Sequence, residues 1–207
     1  MTDNSFNSSD SLSEDSVKNC KETQFQSNKN VNDEKTKVEP KIKNKKLIDS
    51  ISYVLATILN ENKKLKNYKE IIKNQSNMVF SAKSIPSISI NDYLTRIQIY
   101  SEIEKSTLIL ALIQIDHICK KSKLILTYYN IHRLLFGAVL ISIKYNEDLY
   151  YDNIFYSEIG GVKLRELKMI ELTFLELNQF NVFVNHEEYE QYRIYLEEFN
   201  KIPDEEK

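Results

Sequence analysis

The chain has 207 residues, with 28 Lys and Arg against 30 Asp and Glu, so its net charge of -2 names no partner. Gly and Pro number only 3 each, where ordinary usage would give about 14 and 10; a chain so poor in turn-formers cannot build a many-stranded sandwich, barrel or doubly wound sheet. Gly137, Gly160 and Gly161 form no G-x-G-x-x-G and no P-loop, while two cysteines, Cys20 and Cys119, leave no disulfide framework and no zinc spacing. What remains is a helical, non-catalytic, intracellular protein.

In chain order, residues 1–44 are rich in Ser, Asn, Asp and Lys, with Phe6 and Phe25 their only aromatics. Such a segment cannot bury enough apolar surface to offset its ordering entropy, which predicts a disordered polar arm. The run from Lys35 to Lys46 holds six lysines and no aromatic. It reads as a solvated arm, with a nuclear-localisation or nucleic-acid patch as the alternative. Charge is unevenly spread: residues 18–73 carry 14 Lys against 7 acids, and residues 186–207 carry 8 acids against 3 bases. The N-terminus lacks a basic start followed by an apolar run, so no signal peptide is expected.

From Lys46 the pattern turns helical. Leu47, Ile51, Val54, Leu55, Ile58 and Leu59 share one helical face, and the polar stretches 60–67 and 74–77 predict where it breaks. This gives an N-terminal helix and linker over 45–79, ahead of a folded unit over 80–200. Ser84 to Ile90 alternates, but Pro86 biases Ile85 away from the helical region, so an extended lead-in is predicted. Ser89, three before Asp92, has the spacing of a capping box and opens a helix to about Tyr100. Ser101, three before Glu104, opens a second to about Lys121, and Thr127 caps a third to about Asn146. A short helix within 152–158, a turn at Gly160-Gly161, a helix over about 163–177 and a last one over 186–199 complete the order. The longest apolar stretch is Leu134 to Ile143, and from Leu134 to Ile141 it is apolar on every side. It is far short of the roughly 20 residues of a membrane span and predicts a helix surrounded by others.

Few residues suggest chemistry. Lys144 and Glu171 each lie on an apolar helical stripe, where a charge needs a partner. They predict either an ion pair between two helices or polar contacts to another protein. His117 and His132 sit among apolar residues without acids at ligand spacing, as structural histidines do. Cys119 reads as a buried thiol, Gly160-Gly161 as a plain turn rather than an anion site, and no Ser/His/Asp arrangement can be assembled.

The ordered set Ile85-Pro86-Ser87-Ile88-Ser89-Ile90, Asp92-Tyr93-Leu94, Arg96-Ile97, Leu110-Ala111-Leu112-Ile113, Ile115-Asp116 and Leu126-Thr127 continues through Asn130-Ile131-His132-Arg133-Leu134-Leu135 and Lys144-Tyr145. After these come Tyr150-Tyr151-Asp152-Asn153, Ile159-Gly160-Gly161-Val162, Glu166-Leu167, Glu171-Leu172 and Phe174-Leu175. Over Ile85 to Phe199 this resembles the cyclin box, in particular the single-box P- and U-type cyclins of the phosphate-signalling group. The resemblance implies an all-α fold: a five-helix cyclin box with a preceding N-terminal helix and a C-terminal helix. It further implies a partner, the catalytic subunit of a cyclin-dependent Ser/Thr protein kinase, bound through its C-helix. Lys144 and Glu171 match the residues that grip kinase backbone groups in such complexes, and Ile141, Tyr145, Leu175, Phe180 and Val182 match apolar contact positions around them. No catalytic group, cofactor, metal, small-molecule substrate or membrane is implied, and residence in the cytoplasm or nucleus is. Two departures stand out. The Arg that pairs in cell-cycle cyclins with the acid at Asp116 is replaced by Ser87, which argues against a patch for Arg-x-Leu substrates. Lys163 stands where a Ser cap is usual, which predicts a frayed helix start. The alternative from a different class is a nucleic-acid-binding cyclin fold, like general transcription factor B. The folded region lacks the concentrated basic face which that reading needs.

Overall fold

The computed structural model describes residues 43–199; the rest of the expected arm, residues 1–42, lies outside them. Eight helices and no strand occur among the described residues: α1 (Lys45–Lys63), α2 (Tyr68–Gln75), α3 (Ile90–Ser101), α4 (Lys105–Ser122), α5 (Ile131–Asn146), α6 (Asn153–Gly160), α7 (Leu164–Leu177) and α8 (His186–Phe199). The all-α expectation holds, with the elements in the order read, save that α1 runs to Lys63, past the expected break, and α2 stands in the stretch read as linker. The last two residues assigned to the arm are tied to the bundle. Lys43 donates to Glu104 at 2.7 Å, and Asn44 Nδ2 donates to Gln98 Oε1 and to the Ile103 carbonyl, both at 3.2 Å.

Local chemistry sets the helix starts, and three of them differ from expectation. Ser89 caps α3 as read, its Oγ accepting the Asp92 N–H at 3.0 Å. Ser101 does not open α4; it is the last residue of α3, and its hydroxyl is buried without a partner. The start of α4 is held instead from 43 residues away, by Glu147, which accepts the Glu104 N–H at 3.0 Å and the Thr107 hydroxyl. Thr127 does not cap α5 either. Asn130 accepts the Thr127 N–H at 2.8 Å and donates to the Ile125 carbonyl at 2.9 Å, which closes a turn first and moves the helix start to Ile131. Lys163 does not leave α7 frayed. Glu166 accepts the Lys163 N–H at 3.1 Å, and Arg133 from α5 pairs with Glu166 at 2.8 Å. These two donors hold the Glu166 carboxyl below the usual range, the backbone bond first.

The core forms around α4 and α5. In α5, everything from Leu134 to Ile143 is buried, because an all-round apolar helix is stable only when enclosed. Gly137 lets α7 come close: a Cβ there would meet Ile170 at 3.0 Å and Phe174 at 3.1 Å. Asp152 caps α6 by accepting the Phe155 N–H at 2.9 Å, and Gly161 ends it at φ 65, a conformation that favours glycine.

Candidate functional site

The end of α5 and the middle of α7 meet along one edge of the bundle. Lys144 Nζ donates to Glu171 Oε1 at 2.5 Å, and Glu171 Oε2 accepts from Asn153 Nδ2 on α6 at 3.1 Å. The two charged side chains keep 25% and 19% of their exposure, so this is a half-buried pair with water on one side. The ion-pair reading of these residues is therefore realised within the chain. Asn153 was not expected to take part; its sequence signal is its place in the matched run Tyr150-Tyr151-Asp152-Asn153.

An exposed apolar side chain follows each member of this triad in the chain. Tyr145, Ile154 and Leu172, the chain neighbours of Lys144, Asn153 and Glu171, are all exposed, as are Leu149 and Tyr150 in the loop between α5 and α6. Of the other expected contact residues, Leu175 lies one turn beyond Glu171 on α7 and, like Val182, is half-buried against the core. Phe180 is 64% exposed in the turn after α7, where its N–H bonds back to the Leu175 carbonyl at 2.7 Å. Ile141 is 5% exposed and belongs to the core, offering almost no surface.

The remaining singled-out residues have structural settings. His117, read as lacking an acid, meets Glu188 of α8 at 2.7 Å; 71 residues separate them, beyond any local pattern. His132 Nε2 lies 2.9 Å from the Ile88 carbonyl, so that nitrogen carries the proton, and Nδ1 is buried without a partner. Burial lowers the His132 pKa from its ordinary value. Burial likewise pushes the Cys119 thiol up to about 12, an inert setting. Asp116 is taken by the Tyr192 hydroxyl at 2.6 Å and Lys120 at 2.5 Å, while Arg96 donates to the Glu158 carbonyl. Among the described residues no group of three or more His, Cys, Asp or Glu could hold a metal, and no helix is long and apolar enough to cross a membrane.

Comparison with known proteins agrees with this architecture. The family described as Cyclin matches residues 8–182. PHO85 cyclin-like protein psl1 of Schizosaccharomyces pombe is 35% identical over 117 residues, 56% of this chain and 48% of that protein. Cyclin-U4-1 of Arabidopsis thaliana is 30% identical over 153 residues, 73% of this chain and 75% of its own. PHO85 cyclin-7 of Saccharomyces cerevisiae is 29% identical over 172 residues, 74% of this chain and 60% of that one. The chain spans about half the length of psl1 and of the U2- and U3-type cyclins of Arabidopsis thaliana that it also matches. A family match over most of the sequence, on an all-helical bundle with the box helices in order, makes this chain a member of the cyclin family, of the P and U type.

Proposed function

We propose that this chain is the regulatory subunit of a cyclin-dependent Ser/Thr protein kinase and docks on the kinase's C-helix through the α5–α7 edge. The observation that carries the reading is the Lys144–Glu171–Asn153 triad, with an exposed apolar residue next in the chain to each member. A bundle that served only itself would gain by covering Tyr145, Ile154 and Leu172. A partner helix laid along this edge covers them and meets one donor and one acceptor at the centre of the contact.

Mechanistically, the chain contributes position and no catalytic group. Seated on the edge, the kinase's C-helix is held inward, where its Glu reaches the Lys that positions ATP. Lys144 offers its remaining donors to backbone carbonyls, and Glu171 its remaining lone pairs to backbone N–H groups. Because such a kinase consumes ATP, the reading places the chain inside the cell, in cytoplasm or nucleus.

Recovery of the tagged full chain from its own cell extract, followed by reconstitution with the kinase identified in the eluate, tests this. Lys144→Ala and Glu171→Ala are expected to cost about 2–5 kcal/mol of association, since each leaves a kinase group dry and unpaired. Normal activation by both variants overturns the docking face. DNA binding by the full chain with a steep salt dependence, and no kinase in the eluate, overturns the kinase reading itself.

A further inference from the structure

The turn that follows α7 is held in an unfavourable backbone conformation by polar groups hidden behind it. Gln179 and Phe180 stand in succession at φ 57 and φ 55, the left-handed region that non-glycine residues rarely enter and that bulky ones enter least. Neither is a glycine, and the second displays its ring to solvent. Such strain persists only where the surroundings over-determine it.

The surroundings here form a one-way chain of donors. Lys121 Nζ donates to Asn178 Oδ1 at 2.7 Å and to the Asn178 carbonyl at 3.1 Å. Asn178 Nδ2 donates to Gln114 Oε1, and Gln114 Nε2 donates to the Val182 carbonyl at 2.7 Å. Asn178 is 0% and Gln114 2% exposed, whereas Lys121 reaches in from the surface. An ammonium has donors only, so Asn178 must turn its oxygen to Lys121, which turns its amide nitrogen to Gln114 and fixes the Gln114 amide in turn. One surface lysine thereby orients two buried amides and pins the chain on both sides of Phe180, at positions 178 and 182.

Resting on the kinase-docking reading above, we infer that Lys121, Asn178 and Gln114 are positioning residues: they hold the strained turn after α7 so that Phe180 is presented, already ordered, to the kinase. A contact residue fixed before binding loses less entropy on association than one that must be ordered by it. Phe180 is the contact, and the three residues act through it.

The test opens the lock from the solvent side, since Asn178→Ala would empty a fully buried site. Full-chain Lys121→Met, Lys121→Arg, Phe180→Ala and Lys121→Met with Phe180→Ala are compared by amide hydrogen exchange and by affinity for the kinase recovered with the tagged chain. Lys121→Met is expected to speed exchange at Gln179 and Phe180, whose N–H groups bond to Glu176 and Leu175, while helix amides elsewhere keep their protection. Its kinase affinity should fall about tenfold, the size of one charge-assisted hydrogen bond. It should then add nothing on the Phe180→Ala background, and Lys121→Arg should restore both readouts. Unchanged exchange at the turn, or an equal loss of affinity with and without the Phe180 ring, overturns the positioning role and leaves the docking face standing. Unchanged affinity in Phe180→Ala overturns both the positioning role and the docking reading at this turn.

Discussion

Helices α5 and α7 lie against each other, yet α5 buries 12 of its 16 residues and α7 buries 3 of 14. The difference follows from where charge is allowed. Between Leu134 and Ile143 α5 carries none, so every side can be enclosed. On α7, Arg165, Lys168, Glu171 and Glu176 interrupt each turn, so only Leu167, Ile170 and Phe174 are fully buried, with Leu175 and Leu177 half-buried against the core. One helix is therefore specified by packing alone. The other is specified on one side by packing and on the other by what it presents outward. Substitutions that treat the two alike should have unlike effects.

The largest effect is expected inside α5. Ala138 is fully enclosed, and Ala138→Asp buries an unpaired charge, for a loss above roughly 3 kcal/mol. Expression should yield insoluble or unfolded protein. A soluble variant with native circular dichroism would mean that α5 is not surrounded after all.

The next concerns a contact α5 makes elsewhere. A Cβ on Gly160 would sit 2.3 Å from one atom of the Phe136 ring and 2.4 Å from another, and that ring is buried. Gly160→Ala should destabilise by about 2–3 kcal/mol in denaturant titration. Adding Phe136→Leu should give part of it back, because the two sites share one space. Simple additivity of the two losses would refute the clash.

At the shared edge the effect is smaller and has a signature. Lys144→Ala or Glu171→Ala leaves one half-buried charge without its partner and should lower stability by about 1–2 kcal/mol. The double change to Leu should recover most of the melting temperature. Kinase binding should stay low in all three. If binding recovers along with melting in the double variant, the pair serves the fold only.

The smallest effect is in pH. The His132 pKa is lowered by burial, opposed by its bond to the Ile88 carbonyl, so the unfolded chain takes up the proton first as pH falls. Stability contributed by neutral His132 is complete above its ordinary value of about 6.5 and declines as pH falls below it toward the folded value. Between pH 7.5 and 5 the melting temperature should therefore fall less in His132→Gln than in the unaltered chain. Equal slopes would show that His132 titrates as in the unfolded state.

Much of the bundle was legible because period and caps are local properties. The stripe from Leu47 to Leu59 and the Ser89–Asp92 spacing each concern residues within one helix, and both correspond to what forms, save that Ile58 of the stripe is exposed and Val54 half-buried. The misread starts have different causes, one distant and one a local competitor. Glu147 reaches back to α4, and an unexpected Asn130 turn displaces Thr127 as the opening of α5. For the candidate site, periodicity singled out Lys144 and Glu171 as charges needing partners but left the partner open. The fold supplies one within the chain, together with Asn153. Nothing in spacing could place Lys121 behind Phe180, because that arrangement depends on how the end of α7 meets the end of α4.

The attachment of α8 has a consequence for how the molecule comes apart. Only Leu196 of this helix is fully buried; Tyr189 and Tyr192 are half-buried against the core, the Phe199 ring lies 4.7 Å from that of Tyr53 on α1, and the Tyr192–Asp116 and His117–Glu188 contacts to α4 are polar. A helix with a single fully buried side chain, half-buried aromatics and part-exposed polar bonds opens at a free energy below that of the whole domain. Under mild denaturant α8 should peel away as its own unit, its amides exchanging with solvent while α4 and α5 remain closed. Within the described bundle, α8 would then be offered to a protease ahead of global unfolding.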